Sequence, residues 1–120
     1  MNEGVILELY KNQNHFDSSI KKEDSLVASN FSCGDEINLH VEIQDGKINK
    51  ATFSGSACSI TLASAEYLCR EIEGKSVTEI NPESLQQACL SAFEMLTKER
   101  RVLCALLPYQ ALEQLKLHLV

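Results

Sequence analysis

Positive charge is scarce in this sequence. Lys and Arg number 11 against 17 Asp and Glu over 120 residues, a formal net charge of −6 at pH 7. A nucleic-acid binder needs a basic patch to offset phosphate charge, so no nucleic-acid partner is expected. Long hydrophobic runs are missing too. The apolar stretches are only a few residues long, well short of the roughly 20 that span a bilayer, so no membrane partner is expected. Residues 1–20 lack a basic segment followed by an apolar one. No secretory signal is therefore expected, and the chain is assigned to the cytoplasm. Paired histidines are absent as well. His15 falls in a loop, His40 on the polar face of a strand and His118 near the terminus. None belongs to a spaced ligand pair such as His-x₃-His, so all three are expected to be solvated. With no repeat, low-complexity tract or linker, residues 1–120 read as one domain, long enough for a modest core without disulfide staples.

What the chain does have is cysteine. Five without a secretion signal, an odd number, do not make a disulfide framework. In a reducing compartment they serve as core filler, metal ligands or reactive thiols. Cys69 follows Cys58 by eleven residues in the same helical pattern, about 16 Å at 1.5 Å per residue, so the two cannot share a metal. It lies on the apolar stripe, and Cys89 sits among Leu85, Ala88, Ala92 and Phe93. Both read as core. Cys33 and Cys58 differ: each stands among small residues at an element boundary, Ser32-Cys33-Gly34 and Gly55-Ser56-Ala57-Cys58-Ser59. A helix N-terminus favours thiolate over thiol, and small neighbours leave room for an inorganic ligand or a docking partner. The residues alone leave metal-binding, reactive and core readings open for these two. For Cys104 the neighbours Leu103, Ala105 and Leu106 favour core.

One stretch, Asn30 to Asp35, organises these candidates. Residues at i and i+2 of an extended segment point to the same side, so Cys33 and Asp35 face one point, with Gly34 letting the backbone bend between them. With Cys58 and Cys104 at helix starts, Cys33 and Asp35 complete a set of four ligands, the outline of a metal or cluster site.

The periodicities supply a frame. Residues 3–11 read as a short amphipathic helix, 12–24 as a polar, mobile surface loop, and Leu26-Val27-Ala28 as a short strand. Ile37, Leu39, Val41 and Ile43 alternate with polar residues, giving a strand with one buried face. Asp45-Gly46 supplies a tight hairpin turn, and residues 47–53 return with weaker alternation. A helix is expected from Cys58 to about Glu73, stopped at Gly74, then a helical turn over Ser76–Ile80. Asn81-Pro82 starts another helix, running to about Thr97, and a last one covers roughly Arg100 to Leu119, interrupted or kinked at Pro108. Sheet first and helices after gives an α+β fold: about three antiparallel strands covered on one face by helices.

Three segments together resemble the iron–sulfur cluster assembly scaffold family, comprising IscU, SufU and the N-terminal domain of NifU. They are Cys33-Gly34-Asp35 before a strand, Gly55-Ser56-Ala57-Cys58-Ser59-Ile60-Thr61-Leu62-Ala63-Ser64 at a helix start, and Arg101-Val102-Leu103-Cys104-Ala105-Leu106-Leu107-Pro108-Tyr109. The resemblance extends from about Leu7 to Leu115. Phe31 stands where the family usually has Pro, and Leu103 where IscU-type scaffolds place a His. Glu99-Arg100-Arg101-Val102-Leu103 replaces their Leu-Pro-Pro-Val-Lys chaperone-docking segment. Arg-x-x-Cys-Ala-x-Leu-Pro is similar to the SufU third motif, with Arg101 in its characteristic position. Yet the 45 residues between Cys58 and Cys104 leave no room for the usual SufU insertion.

The resemblance implies that Cys33, Asp35, Cys58 and Cys104 hold a transient [2Fe–2S] cluster or Zn²⁺. The implied partners are a cysteine desulfurase, acceptor apo-proteins and a second copy sharing a cluster. Cluster irons are normally held by thiolates, and a harder carboxylate exchanges more readily, as suits a protein that hands its cluster on. That scaffold is not an enzyme. The alternative is a SufU-type zinc-dependent sulfurtransferase, in which Cys104 accepts persulfide sulfur as a nucleophilic thiolate. A purely structural zinc domain fits less well, because such sites are mostly Cys and His.

Overall fold

The structure, a computed structural model, describes residues 1–30, 34–95 and 100–119, with side chains of the last helix as far as Leu115. Among these residues lie helix α1 (Glu3–Lys11), strands β1 (Leu26–Asn30), β2 (Asp35–Gln44) and β3 (Lys47–Ser56), and helices α2 (Ser59–Ile72), α3 (Pro82–Ala92) and α4 (Val102–Leu119). The strands form one antiparallel sheet in the order β1-β2-β3. This is the α+β architecture expected from the periodicities.

The hairpin between β2 and β3 turns at Asp45 and Gly46, both at positive φ (54° and 76°), which matches the strand twist. Register then sets the faces. Leu39 lies opposite Phe53 and Val41 opposite Ala51, so these side chains share the inner face with Ile37 and, at the head of the strand, Asp35. At the other end of that ladder Gly55 faces Ile37 with φ at 147°; a Cβ there would lie 2.1 Å from the Glu36 carbonyl oxygen. Only glycine allows the two backbones to approach so closely just before the chain turns into α2. Helices α2 and α4 cover the inner face, and Leu68, Ile72, Leu107 and Leu112 are among the fully buried side chains between the layers.

Four expectations need correction. Ile43 does not extend the buried face: it is 39% exposed. A register shift between Glu42 and Ile43, whose partners are Lys50 and Ile48, leaves Asn49 as an extra residue in β3. It disrupts the ladder near the hairpin turn, where Ile48 stays buried and Ile43 does not. The segment 12–24 is not a free loop. The Phe53 N–H donates to the His15 carbonyl and the Asp17 N–H to the Phe53 carbonyl (2.9 and 2.8 Å), so it covers the open edge of β3. Covered there as well, β3 is buried continuously over Ala51–Ser54, and this is why its alternation was weak.

Helix α3 stops at Ala92 rather than near Thr97, which itself lies outside the described residues. The Met95 N–H bonds to the Leu90 carbonyl and the Glu94 N–H to the Ser91 carbonyl, with Glu94 at φ 51°. This is a Schellman stop built without the glycine that usually announces one. Helix α4 begins at Val102 and is not interrupted at Pro108, which lies inside it. Proline withdraws a single N–H from the ladder, and the turn around it, Leu107 to Leu112, is held by burial on nearly all sides.

Candidate metal centre

Three of the four expected ligands converge. Asp35 opens β2 on the inner face and is 6% exposed. Cys58 is the N-cap residue of α2, and Cys104 lies in the first turn of α4; both are half-buried. One carboxylate oxygen of Asp35 and the two Sγ atoms all lie within 4.8 Å of one another. Cys33, with Phe31 before it, falls outside the described residues. A tetrahedral Zn²⁺ with Zn–S bonds of about 2.3 Å needs sulfurs about 3.8 Å apart. The described ligands thus require only a small contraction around an ion, and two thiols with one carboxylate fit zinc or iron.

Local bonding explains the geometry. A new helix leaves its first N–H groups without partners, and the Cys58 side chain, at the N-cap of α2, accepts none of them. Asp35 reaches this helix end from the neighbouring strand and satisfies the N–H of the N-cap residue itself. Its Oδ1 accepts the Cys58 N–H at 3.2 Å and its Oδ2 accepts the Thr61 hydroxyl hydrogen at 3.1 Å. The carboxylate therefore sits against the first turn of α2, beside the Cys58 side chain. The Thr61 hydroxyl also lies 3.3 Å from Cys58 Sγ. Ser64, one turn further along α2, donates its hydroxyl to the Ala105 carbonyl. That bond ties α2 to the turn of α4 that carries Cys104.

Thr61 was not legible as a site residue. The only signal is a hydroxyl residue three places after the N-cap, and its partner Asp35 is 26 positions away in the sequence.

The remaining cysteines do not join the site. Cys69 and Cys89 are fully buried. Burial pushes the Cys69 thiol well above the ordinary thiol range, and burial likewise raises that of Cys89. Both should escape alkylation by iodoacetamide near pH 8 until the chain unfolds, as read by peptide mass mapping. Their folded pKa values lie above the unfolded ones, so this contribution to stability is complete below the ordinary thiol pKa. It is lost as pH rises through the folded values. Labelling of either thiol at the rate of the denatured protein would contradict this burial.

Of the histidines, His40 lies on the outer sheet face, with Nδ1 3.2 Å from the Asp24 carbonyl. The side chain of His118 is outside the described residues. His15, expected in solvent, is instead 17% exposed, with Nδ1 2.7 Å from Glu66 Oε2. It serves the N-terminal segment, not the metal centre.

Residues 1–114 match the NifU-like N terminal domain family. The chain belongs to that family. The IscU iron–sulfur cluster assembly scaffold protein of Thermotoga maritima is 41% identical over 63 residues, covering 50% of this chain and 44% of its own length. The zinc-dependent sulfurtransferase SufU of Bacillus subtilis is 29% identical, covering 92% of this chain and 85% of its own. The alignment thus spans less than half of the Thermotoga protein but most of the Bacillus one. Two solved structures share the fold. One is the N-terminal NifU-like protein of Brucella abortus (TM-score 0.73, 17% identity, covering 92% of this chain and 88% of that one). The other is the putative scaffold for the SUF system of Fervidobacterium islandicum (TM-score 0.71, 24% identity, covering 95% and 94%). This member of the NifU-like N-terminal family thus carries an Asp-Cys-Cys group with the donor set of a metal site.

Proposed function

We propose that this protein is an iron–sulfur cluster assembly scaffold. It accepts sulfur from a cysteine desulfurase, holds a [2Fe–2S] cluster on Cys33, Asp35, Cys58 and Cys104 as cargo, and passes it to apo-proteins. The observation that carries this reading is the convergence of Asp35, Cys58 and Cys104 at the N-terminal ends of two helices. Three of the four ligands are soft thiols and one is a hard carboxylate, so one bond to the cargo is the weak one. Shared by two chains, the same cluster would hold a pair of protomers together.

A second reading keeps the ligands and changes the cargo. The long alignment with the Bacillus sulfurtransferase, and a 59% exposed Leu103 where a ligating His would stand, favour direct sulfur transfer. In this reading Cys33, Asp35, Cys58 and Cys104 would hold Zn²⁺, and Cys104 would be the ligand that serves as sulfur acceptor. The Cys104 thiolate then attacks the terminal sulfur of the donor persulfide; the new S–S bond forms as the donor's S–S bond breaks and its thiolate leaves.

The experiment that separates them is anaerobic reconstitution with a cysteine desulfurase, cysteine, Fe²⁺ and dithiothreitol as reductant. The scaffold is expected to develop a [2Fe–2S] absorption spectrum that disappears as an added apo-ferredoxin acquires its cluster. Tightly held zinc, no cluster and a large rise in desulfurase turnover would replace the scaffold reading with the sulfurtransferase one.

A further inference from the structure

A buried threonine hydroxyl needs a partner, because leaving one without costs more than the oily side chain of the same shape. Thr61 is fully buried in the first turn of α2. A helical threonine commonly satisfies its hydroxyl on the carbonyl three or four residues back. Here the hydroxyl is directed instead at two side chains, Asp35 Oδ2 at 3.1 Å and Cys58 Sγ at 3.3 Å. Valine would fill the same volume, so packing does not call for the hydroxyl; Asp35 and Cys58 do.

We infer that Thr61 is a positioning residue of the metal centre, joining its carboxylate to one of its thiols before any ion or cluster arrives. This inference rests on the reading of Asp35 and Cys58 as ligands. With Oδ1 held by the Cys58 N–H and Oδ2 by Thr61, the carboxylate cannot turn about its Cβ–Cγ bond. Each carboxylate oxygen has a second lone pair still available. Thr61 also fixes where the Cys58 sulfur stands relative to that carboxylate. Without the hydroxyl, Asp35 keeps a single anchor and must be ordered by the incoming metal, at the expense of affinity. Loss of such an outer partner typically weakens metal binding about 10- to 100-fold.

The test is titration of the metal-free full chain with Co²⁺, followed by its visible ligand-field and thiolate charge-transfer bands. Thr61→Val is expected to bind Co²⁺ at least about 10-fold more weakly than wild type, with displaced ligand-field bands. Thr61→Ser, which keeps the hydroxyl, is expected to restore both affinity and spectrum; a role in packing alone would leave T61S no better than T61V. Equal or tighter binding by T61V, or failure of T61S to rescue, overturns the inference while the site stands. Absence of Co²⁺ binding by wild type itself overturns the ligand reading, and the Thr61 inference with it. If T61V does not fold, Thr61→Ala replaces it with the same expectations.

Discussion

Replacing Asp35 with alanine is expected to lengthen the life of a reconstituted cluster while weakening the fold that holds it. The two effects come from the two ends of one side chain's role. As a ligand, Asp35 offers iron a hard oxygen among thiolates, and that bond exchanges fastest. In Asp35→Ala, a thiol from the reconstitution mixture takes the vacated position, and the cluster is then held by sulfur throughout. Its absorption should decay several-fold more slowly, and transfer to an apo-ferredoxin should slow with it.

As a structural group, the same carboxylate caps α2 through the Cys58 N–H and the Thr61 hydroxyl. Loss of a cap costs about 1 kcal/mol, and the buried Thr61 hydroxyl left behind adds about 1 kcal/mol more. Urea unfolding of the metal-free protein should therefore show a loss of about 2 kcal/mol. A cluster that decays as fast as wild type, or faster, would remove the carboxylate from its role in release.

The largest expected change in stability comes from Glu66→Ala. Glu66 is fully buried in α2. One carboxylate oxygen accepts the His15 backbone N–H at 2.9 Å, and the other meets His15 Nδ1 at 2.7 Å and Arg70 Nε at 2.8 Å. That bond raises the Arg70 guanidinium further above its ordinary range. Through these contacts one side chain fastens the N-terminal segment, and with it the cover on the edge of β3, to the central helix.

Removing one member of a buried pair typically costs about 3–5 kcal/mol, because a polar partner is left unpaired. Arg70 is 34% exposed and can rehydrate, so the lower end, about 3 kcal/mol, is expected. It should appear as a lower urea midpoint, together with faster proteolysis between residues 12 and 17. A change under about 1 kcal/mol would show that the segment is held by Phe16 and the backbone bonds to Phe53 rather than by Glu66. Because Glu66 lies away from Cys58 and Cys104, the Co²⁺ affinity of a folded E66A protein should stay at the wild-type level.

Much of this architecture could be read from local pattern, for reasons seen at particular residues. Ile37 and Leu39 alternate with charged and amide side chains, and both are fully buried. Asn81 before Pro82 announces α3, and its side chain accepts the Ser84 N–H at 3.3 Å. In each case the signal and the structure it specifies lie within a few residues of each other. The misses share the opposite property. Glu94 ends α3 from a left-handed conformation that its residue type does not advertise. The bulge at Asn49 of β3, opposite Glu42 and Ile43, shifts a register that the alternation alone would continue. The His15–Glu66 pair spans 51 positions, and nothing near either residue points to the other.

The sequence by itself determined which residue types are available for chemistry: the cysteines, the carboxylate beside Cys33, and the small residues around Cys58. It also determined that Asp35 stands at the head of a strand and Cys58 at the head of a helix, because caps and alternation are written within a few residues. Only the tertiary structure decided that Asp35, Cys58 and Cys104 meet. Only it assigned Asp35 to the helix cap and a plain threonine to the join between carboxylate and thiol. Those relations depend on how β2, α2 and α4 pack, and packing follows from surfaces assembled across the whole chain rather than from any one stretch of it.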